Sequence, residues 1–281
     1  MYSMKPRAFL ILLLTLCLPA PSRGQDERVG DINGDGLLTL TDLQLLVSFI
    51  NGRDTVDLYN GHDYVDLGLP SGRLWATMNV GADSPSSPGG YFAWGETQEK
   101  ETYTWDNYRW SEGDSLLTRY CCDTLMGTVD SLAVLLLTDD AARQQMGGRW
   151  RMPMLSEVVE LYQRCTWASD TLDGQAGFRV TGPSGASLFL PVAGYREDDY
   201  YANEGTEAFF WTRELNYATD DEAYGLLLLS YYRWWAIRYR YTGHSVRGCA
   251  PSLLQVYDIN ADGHISIADV SVLISLLLSN L

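Results

Sequence analysis

The chain has 281 residues, 46% hydrophobic and 12% aromatic, with Gly 26 and a formal charge of −16. That length allows one sizeable core with a small satellite, and the composition argues against a helical bundle or a disordered chain and for a turn-rich, β-containing body. The acidic balance argues against nucleic acid and anionic membrane as partners and suits a chain that meets divalent cations.

Residues 1–24 read as a secretory signal peptide. Lys5 and Arg7 lead, residues 9–18 form an apolar run too short to span a bilayer, and Ser22 and Gly24 offer small residues for cleavage. The expected location is secreted or cell-surface, with no membrane span; Cys17 keeps a lipoprotein alternative open, against the large Leu16 before it. Cleavage removes Lys5, Arg7 and Arg23, leaving 17 basic against 36 acidic residues, a charge of −19. Four cysteines follow, Cys121, Cys122, Cys165 and Cys249, with three connectivities open. Vicinal geometry disfavours Cys121 with Cys122, and Cys121 with Cys165 is the preferred pair.

The next element, residues 27–53, opens on DINGDGLLTLTD (31–42), and a close copy, DINADGHISIAD (258–269), opens the last, residues 252–281. Oxygen-bearing residues fall at loop positions 1, 3, 5, 9 and 12: Asp31, Asn33, Asp35, Thr39 and Asp42, then Asp258, Asn260, Asp262, Ser266 and Asp269. Leu37 and His264 stand at position 7, where only a backbone carbonyl is needed, and Gly36 and Gly263 stand at position 6. This is the ligand spacing of an EF-hand-type calcium loop, because Ca²⁺ takes six to eight oxygens and the glycine allows the sharp turn that gathers them. A short helix is predicted behind each loop. Leu43, Leu46, Val47 and Ile50 share one helical face, and Val270, Leu273, Ile274 and Leu277 share the other.

Residues 60–250 read differently. Short apolar runs at 187–195 (SLFLPVAGY), 207–215 (EAFFWTREL) and 224–232 (YGLLLLSYY) are predicted strands separated by long loops. One helix is expected from Ser156, with Val158, Leu161 and Tyr162 on its apolar face, and a second over 139–145. Aromatic groups stand out at Tyr103, Trp105, Tyr108 and Trp110, at Tyr200 and Tyr201, and at Tyr231, Tyr232, Trp234 and Trp235; they serve as core or as a sugar- or protein-contact surface.

Two resemblances follow from these residues. GDINGDGLLTLTDLQLLVSFING and YDINADGHISIADVSVLISLLLS each resemble one dockerin repeat, including Asp at position 12. Dockerins carry two such repeats in tandem and dock onto a cohesin; here the repeats are split around a whole domain. Loop positions 10 and 11, which help to read the cohesin, are Leu40-Thr41 and Ile267-Ala268 rather than the frequent Ser–Thr pair. The body, through VDLGLPSGRLWATMNVGADSPSSPGGYFAWGET, GGRWRMPMLSEVVEL, FRVTGPSGASLFLPVAGYR and GHSVRG, is similar to the Fibrobacter succinogenes major paralogous domain, which looks related to the C-type lectin-like fold. Together these imply an α+β protein: a C-type lectin-like, β-rich core domain with two terminal loop–helix calcium repeats that can pair with each other.

The function expected is that of an exported, non-catalytic, calcium-binding protein, a binding or assembly module for a glycan, a cohesin or another protein. An enzyme component of polysaccharide degradation, or a formylglycine-generating-type oxidase, is the alternative. Against it, only His62, His244 and His264 are present, Cys249 has no partner cysteine nearby, and the acid pairs Asp139-Asp140 and Asp198-Asp199 are expected to be solvated.

Overall fold

The computed structural model describes residues 28–52, 59–113, 116–229 and 232–279. The signal peptide, Cys17 and Tyr231 lie outside the described residues. The architecture is mixed α and β, with few helices and small antiparallel sheets.

The first repeat ends in α1 (Leu40–Ile50). β1 (Tyr64–Asp66) and β2 (Arg73–Ala76) open the body, followed by a two-stranded ribbon of β3 (Ser111–Glu112) and β4 (Leu116–Leu117). Helices α2 (Ala141–Met146) and α3 (Leu155–Arg164) come next, then the meander β5 (Thr166–Leu172), β6 (Gln175–Thr181), β7 (Ser187–Pro191) and the hairpin β8 (Tyr195–Glu197), β9 (Tyr200–Ala202). A second meander, β10 (Glu207–Leu215), β11 (Glu222–Leu229) and β12 (Tyr232–Tyr239), forms the central sheet. β13 (Cys249–Pro251) closes the body, and α4 (Leu253–Tyr257) and α5 (Ile267–Ser279) carry the second repeat.

All nine residues of β10 are buried, and strand alternation sends them into two cores. Phe209 and Trp211 join one with Trp94, Trp150 and Leu227, and Ala208 and Phe210 join the other with Leu226, Leu228 and Phe178. α3 contributes Val158 and Leu161 to the second core, so the helix expected from Ser156 faces inward as its spacing requires. The expected 139–145 helix begins two residues later, because Asp140 serves as its N-cap and accepts the Arg143 N–H at 3.0 Å. The 187–195 run stops as a strand at Pro191, with Gly194 at φ 69° and so close to Ala202 O that a Cβ would lie 2.3 Å from it.

β13 pairs with β2 through Cys249↔Trp75 and Pro251↔Arg73, which brings the end of the body beside its beginning. The two terminal repeats therefore start from neighbouring points. α1 and α5 pack together: Leu46 and Leu273, both fully buried, share one core with Trp150 of the body, and Phe49 stacks on Tyr257 at 4.3 Å. A Cβ on Gly30 would stand 2.6 Å from a Leu273 methyl carbon, so glycine permits this close approach.

Two expectations are corrected. All four described cysteines are free, and the Cys121–Cys165 bond is not formed. Cys121 is fixed in a loop by Asp130 and the Asp123 carbonyl, whereas Cys165 caps the far end of α3 against the second core. Asp139 and Asp140 are buried rather than solvated: Arg119 pairs with the first at 3.1 Å, and Arg213 with the second at 3.2 Å. Asp198 and Asp199 are exposed, as expected. No described helix is long and apolar enough to cross a membrane.

Candidate functional site

The two acidic loops fold alike. Position 6 has φ 85° at Gly36 and 87° at Gly263, the left-handed conformation the turn requires. Asp31 Oδ2 accepts the Gly36 N–H at 3.0 Å, and Asp258 Oδ2 accepts the Gly263 N–H at 2.8 Å. Asn33 donates to Asp35, and Asn260 to Asp262, both at 2.9 Å. The amides of Leu37 and His264 donate to Asp35 and Asp262, both at 2.8 Å.

Position 12 performs two tasks in each copy. Asp42 Oδ1 accepts the Ile32 N–H at 2.8 Å, and its Oδ2 accepts the Thr39 N–H at 2.8 Å. Asp269 repeats this with Ile259 at 2.8 Å and Ser266 at 2.7 Å. Thr39 and Ser266 return the favour by accepting the Thr41 and Ala268 N–H groups, which completes a helix N-cap. One carboxylate thus ties the loop's entry to the helix's start. Asp42 and Asp269 are fully buried, and neither has a Lys or Arg partner among the described residues. Each carboxylate is held by three backbone N–H donors drawn from the loop's entry and the helix's start.

The copies differ in their surroundings. Arg143, on α2, donates to the Gly34 carbonyl, and Arg149 Nε donates to the Ile32 carbonyl at 3.0 Å. The first loop is thereby seated on the body and Asp31 is buried, whereas Asp258, at the same position of the second loop, is half-buried. Burial raises the Asp31 carboxyl above its ordinary range and the nearby Asp42 pushes the same way, opposed by the Gly36 N–H and Arg149. The two arginines carry no signal of this role in the sequence, since Arg149 belongs to the body motif GGRWRMP and Arg143 to an unremarkable helix.

Each loop offers an all-oxygen donor set: three carboxylates, one amide, one hydroxyl and the position-7 carbonyl. That chemistry fits a hard divalent cation such as Ca²⁺. The side chains are turned onto their own loop amides, and no group of three His, Cys, Asp or Glu side chains converges among the described residues. Asp35 and Asp262, which accept from Asn33 and Asn260, are both exposed.

Elsewhere the body motifs act as struts. Glu157 of α3 takes a bidentate contact from Arg151 at 2.6 and 2.8 Å and a further bond from Arg73 at 2.7 Å. Arg247 of GHSVRG is buried and donates to the Ala76 and Phe189 carbonyls and to Asn79. The three histidines occupy three separate features. His62 stands beside Asp63 on a cavity of about 280 Å³, His244 is buried between Phe209 and Trp211, and His264 lies in the second loop. Cys249 is buried beside Arg151, and burial pushes its thiol up to about 12.

The expected aromatic groups separate into core and surface. Tyr103 and Tyr108 are buried, whereas Tyr200, Tyr201, Tyr232 and Trp235 are exposed. No family model, no curated protein and no solved structure matches this chain.

Proposed function

We propose that this is an exported, non-catalytic, calcium-binding protein in which two dockerin-like repeats close as a clasp on a C-type lectin-like body. The body then serves as a binding or assembly module. The observation that carries the reading is the paired loop geometry, with a buried, cation-free carboxylate at position 12 of both copies. Asp31, Asn33, Asp35, the Leu37 carbonyl, Thr39 and Asp42 would hold one ion, and Asp258, Asn260, Asp262, the His264 carbonyl, Ser266 and Asp269 the other. The ion would neutralise the clustered carboxylates, of which Asp31 already feels the Arg149 guanidinium, and binding would be coupled to folding of the loops. Supporting the non-catalytic part, the histidines stand apart and the Cys249 thiol is held protonated in the interior.

Calorimetric titration of the chelator-treated protein tests this. Two calcium equivalents are expected, falling to one in Asp262→Ala, while magnesium at the same concentration binds far more weakly. Absence of calcium heat would sink the reading.

A second reading places a cohesin-like protein partner on the clasp. It is favoured by a repeat-related pair of exposed apolar residues, Leu40 and Ile267, 69% and 70% exposed at the same loop position. Replacing both by Asp should abolish capture by an immobilised cohesin panel without altering calcium stoichiometry; retained capture would count against it.

A further inference from the structure

The central sheet carries a row of aromatic rings on one face of β12. Strand alternation places Trp235, Ile237 and Tyr239 on the same side, and Tyr224 of β11 joins them because it pairs in register with Ile237. Tyr217 leans on Tyr224 at 5.4 Å, and Tyr224 meets Trp235 edge-on at 5.6 Å. At the other end Tyr239 stacks on Tyr241 at 5.9 Å, and Tyr241 touches Trp105 at 4.9 Å. Tyr217, Trp235 and Tyr239 are the exposed members, at 67%, 39% and 47%, and the others support them from beneath or beside. The six rings form two groups of three, Tyr217–Tyr224–Trp235 and Tyr239–Tyr241–Trp105, with Ile237 between them on β12. The exposed ones are also held in place by their neighbours, so little conformational freedom is left to lose on binding.

We infer that this face is a binding platform for a neutral polysaccharide chain, a proposal that rests on the binding-module reading above and names its ligand. The charge around the rings selects the class. Glu222 stands opposite Tyr239 on the same face, and Glu197 accepts the Tyr241 hydroxyl at 2.6 Å with Asp198 and Asp199 exposed beside it. Carboxylates accept hydrogen bonds from sugar hydroxyls and repel uronate or sulfate groups. The guanidinium on this face of β12, Arg233, is turned over the Trp167 and Phe178 rings, away from the row. Flat aromatic faces match the apolar C–H faces of pyranose rings. Trp235 and Tyr239 are four residues apart on one strand, roughly 13 Å, so their common ligand is a chain of sugars and not one ring. Addition of a strand from a second copy is disfavoured by Arg233 and Arg238 on this edge.

The platform shares no residue with the calcium loops, so the two readings fail separately. Native affinity electrophoresis of the mature chain suits its strong negative charge. Gels containing hydroxyethyl cellulose, xyloglucan or mannan are compared with gels containing alginate, each with calcium and with chelator below the melting temperature. At least one neutral polymer is expected to retard the protein, with and without calcium, and alginate is not. Trp235→Ala, Tyr239→Ala and Tyr217→Ala should each weaken retardation roughly tenfold, while Tyr64→Ala on β1 leaves it unchanged. Tyr217→Ala, the most exposed of the three, keeps the test valid if truncation within the strand impairs folding. The platform is overturned if no neutral polymer retards the protein, if the three variants bind like the parent, or if alginate is the polymer bound. It is equally overturned if size-exclusion light scattering shows a dimer that Trp235→Ala splits, since a second copy would then cover the face. Retardation without any calcium heat would leave the platform standing and remove the calcium reading.

Discussion

Glu157, one buried carboxylate, ties α3 to two strands of the body. It links α3 to Arg73 on β2 and to Arg151, whose guanidinium also reaches the Cys249 sulfur on β13 at 3.3 Å. Burial by itself raises this carboxyl, but Arg151 and Arg73 outweigh it and hold the group down at about 2. Between pH 4.5 and 2 the unfolded chain takes up a proton that the folded chain refuses, so the stability supplied by Glu157 is present above that window and lost as pH falls through it. Glu157→Gln should cost about 3–5 kcal/mol, measured by urea unfolding at neutral pH, because two guanidinium groups lose their counter-charge in the interior. His244 adds a second acid step. Burial first, and Arg238 second, hold its imidazole well below the ordinary value, so protons favour the unfolded chain once the pH drops below about 6.5. Unfolding free energy should therefore begin to decline near that pH, and His244→Gln should flatten the decline between pH 6.5 and 5. The RWRMP and HSVRG motifs were visible in the sequence, but their role as buried struts was not, because a charged residue's partner across the fold leaves no trace in local spacing.

Among the elements, α1 and α5 have 11 and 13 residues, too few to be stable alone in water. Each depends on the other and on the body, through Leu46 and Leu273. Leu273→Ala should destabilise the protein by about 2–5 kcal/mol and lower its calcium affinity, while Leu278→Ala, at a position 64% exposed, should change neither appreciably. The i, i+3, i+4, i+7 spacing made both helices legible, yet Val47 and Ile274 on those same faces stay 37% and 40% exposed. Spacing defines an apolar face, and the width of the partner decides how much of it is covered. Strand β10 was legible because its aromatic run Phe209-Phe210-Trp211 carries strong strand preference. Strands β1 and β13, three residues each, were not, since they exist only through pairing with β2 from distant parts of the chain.

For the whole molecule, the calcium reading makes the clasp a ligand-dependent part of the fold. Chelation should lower the melting temperature; calcium at a hundredfold excess over its dissociation constant contributes about 2.7 kcal/mol per site. Truncation after residue 253 should weaken binding at the first loop, because Leu46 and Ile32 lose cover from the second repeat. An unchanged first-loop affinity would show the loop to be sustained by Arg143 and Arg149 alone. The pair of loops was the most legible feature of the sequence, since a repeated twelve-residue word is written in consecutive residues. The seating of one loop on the body was not, because it depends on carbonyls meeting side chains more than one hundred residues away.

The close approach of Gly30 and Leu273 joins residues from opposite ends of the described chain. Contacts between residues this remote form slowly, because the entropy of closing the intervening loop is lost before the contact returns anything. Pairing of β13 with β2 draws the two repeats together and shortens that search to a local one. The body should thus fold first and the clasp last, so a refolding trace followed by Trp fluorescence would contain a late phase that disappears with the second repeat, while the earlier phase survives.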